Sequence, residues 1–178
     1  MNVELYRSED FAPLITLWCE CFDDSPDIPI AFYDTVKCNV LAAVEDKKTV
    51  GMANLIPVKI GDAVGVYLYA VCVAKKYRGC GIFRTLLNYA EKSADFVCLI
   101  PENETVADTY RRHGYTVNIG RYGRSQIKDK VLCNTDFAEF AKPDEDFIDN
   151  AFPFGLLKPI TSVELPKELC FNTYMGEV

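Results

Sequence analysis

The sequence is poor in the residues that metal centres and histidine-based catalysis use. It has one histidine, His113, and none of its eight cysteines stands in a C-x-x-C pair. A tetrahedral zinc site draws on closely spaced Cys and His ligands, so no metal is expected. Positive charge is also scarce: 19 Lys and Arg against 26 Asp and Glu leave a net charge of −7. A general nucleic-acid binder carries the opposite balance, which argues against nucleic acid as a partner. No apolar run approaches the ~20 residues that cross a bilayer. The longest, Val64 to Ala74, is interrupted by Gly65. Glu4, Arg7, Glu9 and Asp10 occupy the stretch where an export signal needs its apolar centre. A cytoplasmic protein without a membrane partner is therefore expected. In that compartment the cysteines, scattered mostly through apolar segments, read as buried free thiols rather than as a disulfide framework.

What is present suits one domain, with room for an extension. A chain of 178 residues can bury a proper core, and 49% hydrophobic residues with 25% charged is ordinary for a globular protein. Against the acidic average, one stretch stands apart: Val71 to Leu87, VCVAKKYRGCGIFRTLL. It holds Lys75, Lys76, Arg78 and Arg84, and no Asp or Glu occurs from Val71 to Ala90. The stretch begins as the end of an apolar run, passes through a glycine-punctuated turn and continues with helical periodicity. A strand feeding a helix in this way leaves the first helical N–H groups pointing outward, where the helix dipole adds positive charge. That is a site for a phosphate-bearing cofactor. The glycines alone also suit a plain turn. A Walker lysine followed by Ser or Thr is missing, as is the third glycine of a dinucleotide fingerprint, so those two phosphate motifs are disfavoured.

Along the chain, Asn2 to Tyr6 alternates as a short strand. Ser8 can cap a helix in which Phe11, Leu14, Ile15, Trp18, Cys19 and Phe22 share one face, with Glu9 and Asp10 in its first turn. A shorter helix is expected over Pro29 to Lys37. Three strands follow, Val40 to Val44, Thr49 to Ile60 and Val64 to Val73, spaced as antiparallel hairpins. The third is apolar on both faces and so central in the sheet. Ile82, Phe83, Leu86, Leu87, Ala90 and Ala94 mark a helical face. Phe96 to Ile100 is a buried strand, and a helix capped by Asn103 ends at Gly114. Thr116 to Lys128 is a strand candidate. Beyond it, Val131 to Ala141 reads as a strand, Asp144 to Asn150 as a helical turn, and Leu156 to Val163 and Leu169 to Tyr174 as short strands.

Two motifs within this order carry a family resemblance. Arg78-Gly79-Cys80-Gly81-Ile82-Phe83 resembles the Q/R-x-x-G-x-G/A signature of the GNAT N-acetyltransferases, with Val73 and Tyr77 where that family often shows V-x-P-x-Y. Asn103, Tyr110, Gly114 and Tyr115 match the spacing of its N-x6-Y-x3-G-F pattern. Lys75 replaces the usual proline, and Phe83 stands where the family has Gly or Ala. On the helical pattern, Phe83 shares the apolar face with Leu87. The resemblance spans about residues 1–128. It implies an α/β (α+β) fold with a mixed, mostly antiparallel central sheet flanked by helices, the segment 129–178 being a C-terminal extension of the same domain.

The resemblance also implies an activity: acetyl transfer from acetyl-CoA to a primary amine by direct attack in a ternary complex. The amides from Gly79 through Cys80, Gly81, Ile82 and Phe83 to Arg84 would hold the CoA pyrophosphate, with Arg78 ordering the turn. Backbone groups of Val71, Cys72 and Val73 would pair with the pantetheine arm. Asn103 would contact the cofactor or act only as a helix cap. Tyr110 would protonate the departing CoA thiolate, or it is a half-buried aromatic covering the sheet. His113 reads as a favourable charge at a helix end. No histidine is placed to act as base, which leaves a carboxylate or ordered water. Glu102 and Glu104, and the loop aspartates Asp23, Asp24 and Asp27, are candidates for that role or for electrostatic and solvated ones. The acceptor would be a small-molecule or peptide amine. The extension could complete the sheet, line the acceptor pocket or form a homodimer contact. A different class remains open: a GNAT-like module that binds CoA or a protein partner without catalysis.

Overall fold

The computed structural model describes residues 2–6, 11–122, 130–131, 135–141 and 152–172. They divide into two compact units, one drawn from residues 1–56 and 68–93 and the other from 57–67 and 94–178.

In the first unit, β1 (Asn2–Tyr6) pairs antiparallel with β2 (Asn39–Glu45), Tyr6 opposite Val40. β2 pairs antiparallel with β3 (Lys48–Ile60), Val40 opposite Asn54. Asp46 and Lys47 turn between them with φ of 49° and 64°, the two positive values that a two-residue hairpin loop needs. Helix α1 spans Ala12–Phe22 and buries Leu14, Leu17 and Trp18, which recur at helical spacing. It starts later than a Ser8 cap would place it. Phe11 is the N-cap residue, and Pro13 sits in the first turn, where a missing N–H costs no helical bond. Ser8, Glu9 and Asp10 lie outside the described residues. Helix α2 follows over Asp27–Thr35.

Trp18 centres the layer beneath α1 and α2. Its ring lies 5.3 Å from Phe32, 6.1 Å from Tyr33 and 5.7 Å from Tyr69. Its indole N–H donates to Asp24 Oδ2 at 2.7 Å, satisfying a donor that burial would otherwise orphan. The Tyr33 hydroxyl donates to Asn54 Oδ1 at 3.2 Å, so this residue of β3 faces α2. Gly51, three residues away and therefore on the opposite face, meets α3 (Ile82–Glu91). A Cβ on Gly51 would come within 2.7 Å of Ile82 Cγ2, so glycine lets α3 settle closely onto the sheet. Ile82, Leu86, Leu87 and Ala90 form the buried face of α3, as their spacing predicts.

β4 (Ala63–Val73) follows the Gly61–Asp62 turn and carries an irregularity within its length. Ala70 has φ of 46°, a left-handed conformation that a strand residue with a Cβ rarely adopts. Tyr69 and Cys72 are three apart and would point to opposite faces of a regular strand. Both instead lie toward α1, Tyr69 against Trp18 and Cys72 near Cys21. One left-handed residue between them accounts for this, as in a β-bulge.

In the second unit, Gly65–Tyr67 of β4 pairs parallel with β5 (Phe96–Leu99). β5 pairs antiparallel with β8 (Phe154–Pro159), and β8 with β6 (Val117–Gly120). Short strands β7 (Lys130–Val131) and β9 (Cys170–Phe171) extend the sheet. The C-terminal segment thus supplies a strand between β5 and β6. α4 is Glu104–Arg112 and α5 is Thr135–Phe140. The reading of Val131 to Ala141 as one strand is therefore corrected. Of its described residues only Val131 is in a strand, and Phe137 of α5 is buried, its ring 5.6 Å from that of Tyr67. Among the described residues, the strand candidate Thr116 to Lys128 shrinks to β6. The expected turn over Asp144 to Asn150 lies outside the described residues. No helix of the described chain is long and apolar enough to cross a membrane.

Candidate active site

The strand end and the glycine turn form one local structure. The ladder between β4 and β5 stops at Tyr67 opposite Cys98. Past it, the Ala74 N–H donates to the Val50 carbonyl at 2.9 Å. Backbone groups alternate edges along a strand, so those of Cys72 also turn toward β3. The Cys72 oxygen is 3.3 Å from the position a Gly51 Cβ would take. Val71 and Val73 therefore direct their amides and carbonyls to the other edge. Arg78 reaches back and donates from Nε to the Val73 carbonyl at 3.0 Å.

Between Val73 and α3 the chain makes a single 3-10 turn over Lys75–Tyr77, closed by the Tyr77 N–H on the Ala74 carbonyl at 2.8 Å. Gly79 and Gly81 then take φ of 80° and 82°, which glycine adopts without strain. The space beside both is open: a Cβ at either position would have nothing within 4 Å. Phe83 is half-buried, and its ring stays out of that space. The Thr85 N–H and hydroxyl both donate to the Gly81 carbonyl at 3.1 Å. Amides ahead of that bond, Ile82 and Arg84 among them, have no acceptor within the helix and point along its positive end. Lys75, Lys76, Arg78, Cys80 and Arg84 are exposed around them. The arrangement suits a doubly charged phosphate ester approaching from solvent.

Near this turn, Cys72, followed by Arg78, brings the Cys21 thiol down to about 7 from the ordinary value of 9.0, against an opposing push from burial. Cys72 is raised well above that value by the neighbouring Cys21 and by burial. The described cysteines are free thiols. The sequence offered no signal for this pair, because one member lies on α1 and the other on β4.

The loop aspartates have structural partners. Asp23 is the left-handed C-cap of α1, its N–H on the Cys19 carbonyl at 3.1 Å. Asp24 accepts from Trp18, and Asp27 occupies the first turn of α2. Sequence reasoning also passed over Asn54. It is 0% exposed, its Nδ2 has no hydrogen-bond partner, and a polar residue inside an apolar strand was its only mark.

The remaining site candidates belong to the second unit. Asn103 caps α4, its Oδ1 accepting from the Val106 N–H at 3.0 Å. Glu104 pairs with Arg111, which also binds Asp108 at 2.7 Å. Glu102 is exposed. Tyr110 is only 6% exposed and meets Tyr115 edge-on, with centroids 5.4 Å apart. His113 is the C-cap residue of α4, next to the left-handed Gly114.

Comparison with known proteins bears on this geometry. Residues 37–117 match the family model described as an acetyltransferase (GNAT) domain. Comparison with curated proteins gives no match. Among solved structures, a GNAT family N-acetyltransferase from Escherichia coli in complex with CoA is 13% identical with a TM-score of 0.63, covering 96% of this chain and 88% of that one. A Corynebacterium glutamicum protein described as histone acetyltransferase HPA2 and related acetyltransferase is 17% identical at a TM-score of 0.61, covering 93% and 97%. A GNAT family acetyltransferase from Brucella melitensis in complex with acetyl-CoA is 21% identical at 0.54, covering 76% and 97%. At these identities the likeness is one of fold, and that fold is the one the two sequence motifs imply.

Proposed function

We propose, for a chain whose residues 37–117 match the acetyltransferase (GNAT) domain model, that it moves an acetyl group from acetyl-CoA to a primary amine in a ternary complex. The observation that carries this reading is the turn itself. Two left-handed glycines keep open space at the start of α3, exposed cations surround it, and Arg78 ties it to the end of β4. Bound there, acetyl-CoA supplies the activated thioester.

The chain's own residues would do the rest. The amides of Gly79 to Arg84 hold the pyrophosphate, helped by Lys75, Lys76 and Arg84. The outward backbone groups of Val71 and Val73 take the pantetheine arm as an added strand, so that the cofactor lies along β4 in one orientation. Holding both reactants in one complex accounts for much of the acceleration. Tyr110 gives its hydroxyl proton to the leaving thiolate. A neutral amine is the attacking group, and its proton leaves through water or a carboxylate. Asn103 keeps its capping role at the start of α4. The fold's likeness to proteins solved with CoA and with acetyl-CoA supports this choice of cosubstrate.

Thermal unfolding with acetyl-CoA tests the reading. At about 100 times the dissociation constant, ligand adds roughly 2.7 kcal/mol, or about 5–10 °C in Tm for a chain this size. No shift at millimolar acetyl-CoA overturns the cofactor assignment. A shift without CoA release across a panel of amines would point to a silent binding module instead.

A further inference from the structure

Asn54 puts an amide in the middle of an apolar strand. It is fully buried in β3, its Oδ1 accepts from the Tyr33 hydroxyl at 3.2 Å, and its Nδ2 has no hydrogen-bond partner. A buried donor left unpaired costs free energy that an apolar side chain of similar shape would not. A group of this kind has a use for an acceptor.

Its place in the sheet says which acceptor could reach it. The Ala74 N–H on the Val50 carbonyl sets those two residues opposite each other, so Met52 falls opposite Cys72. With Ala70 as the extra residue of the bulge, Asn54 falls opposite Tyr69, two positions before Val71. Both side chains face the helices α1 and α2. The Tyr69 ring lies 5.7 Å from Trp18 and 5.2 Å from Phe32, and Asn54 meets Tyr33. The unpaired amide thus lies beneath these helices, beside the strand end proposed to take the cofactor arm. Its surroundings are aromatic, and the half-buried Tyr33 stacks on the half-buried Phe11 at 4.3 Å. The covering segment carries charge of one sign: residues 11–36 hold Glu20, Asp23, Asp24, Asp27 and Asp34, and no Lys, Arg or His.

We propose, resting on the acetyl-transfer reading, that Asn54 selects the acceptor, its Nδ2 donating to a neutral carbonyl oxygen a few bonds from the amine, as in an amino-acid amide. The ligand atom must accept, because the unpaired end of the side chain is a donor. It is neutral, because five acids and no base above it repel a carboxylate while attracting an amine that arrives protonated. It lies near the nitrogen, because a strand rise of ~3.3 Å per residue puts Tyr69 within about 7 Å of Val71. Tyr33 is a positioning residue here. By holding Oδ1 it keeps Nδ2 as the end presented, and its half-buried ring is the one that turns to admit the acceptor. An amine without the oxygen leaves the buried donor unpaired, which is how such a site discriminates.

NMR of the full chain, read at the side-chain amide of Asn54, tests this without any need of acetylation. Glycinamide should move both amide protons. Ethylamine, which lacks the carbonyl, and glycine, whose oxygens are charged, should leave them in place. In turnover with acetyl-CoA, glycinamide should be preferred to ethylamine, and Asn54→Leu should cut that preference about tenfold, mainly through KM. The difference in basicity between the two amines cancels when the variant is compared with the unaltered chain. Asn54→Leu should also keep its affinity for acetyl-CoA and melt no lower, since an unpaired amide has been removed. If that variant does not fold, the titration of the unaltered chain decides. Amide protons that ignore glycinamide and contact only a long-lived water would overturn the proposal, as would equal movement by ethylamine. A glycinamide shift with no amine acetylated would uphold the Asn54 contact and sink the acetyl-transfer reading, so the two fail separately.

Discussion

Arg78 donates its Nε–H to the carbonyl oxygen of Val73 across 3.0 Å, so the first residue of the glycine turn is fastened to the last residue of the strand before it. The bond fixes the angle at which the turn leaves β4 and keeps the guanidinium beside Cys21. Both consequences reach the edge on which a cofactor arm would lie.

Removing that fastening gives the first prediction. Arg78→Ala should weaken acetyl-CoA binding by about five- to tenfold, the equivalent of one ordinary hydrogen bond at a partly exposed site. The fold should be nearly unaffected, since Arg78 is an exposed residue and loses a single hydrogen bond. Isothermal titration measures the affinity, and an unchanged dissociation constant would detach Arg78 from the site.

Gly81 separates strain from charge. Its φ of 82° makes any side chain there cost about 1–2 kcal/mol, roughly 2–8 °C in Tm, so both Gly81→Ala and Gly81→Glu should melt lower. Only the glutamate also sets a carboxylate where the pyrophosphate is proposed to lie. Acetyl-CoA should still raise the Tm of Gly81→Ala and fail to raise that of Gly81→Glu. Equal shifts in the two would refute the turn assignment.

Tyr110 is buried against Tyr115, an environment compatible with a packing role alone. If its hydroxyl is the acid, Tyr110→Phe should lower turnover by about 10²-fold or more while sparing cofactor affinity. Steady-state rates beside a binding measurement distinguish the two. Full activity in the variant returns Tyr110 to packing.

The thiol pair makes a pH prediction. Cys21 lies lowered to about 7 from 9.0, so its thiolate is the form favoured by the fold and accumulates as pH rises through that value. Its alkylation by iodoacetamide should therefore reach half its maximal rate near pH 7. Cys72→Ala removes the largest cause of the lowering, and the midpoint should climb toward that of an ordinary thiol. A midpoint near 9 in the unaltered chain would show that Cys72 and Arg78 exert no such influence.

Much of the first unit could be read from spacing. Leu14, Leu17 and Trp18 on one helix, and Ile82, Leu86, Leu87 and Ala90 on another, form the buried faces their periodicity implies. The left-handed φ of Gly79 and Gly81 is what two glycines in a strand-to-helix turn suggest. Other features were hidden for physical reasons. Phe11 precedes the helix although Ser8 has the better capping side chain, because Pro13 fits only in a first turn. Phe137 and Ala141 fall at a spacing that fits either period over so short a run, and burial of Phe137 against Tyr67 accompanies a helix there. Cys21 and Cys72 act on each other from about fifty positions apart in the chain, where no local pattern can reach.

Ala70 leaves a consequence for how β4 could change. Because one left-handed alanine separates Tyr69 from Val71, the strand is read in two phases, one before it and one after. Straightening that single residue into regular extended backbone, with no residue lost, would put the strand's far half back into the phase of the near half. The Cys72 thiol would then leave α1 for the face of α3, and Val71 and Val73 would turn their amides toward β3. An alanine that touches no cofactor would thereby decide which edge of the strand is offered to one.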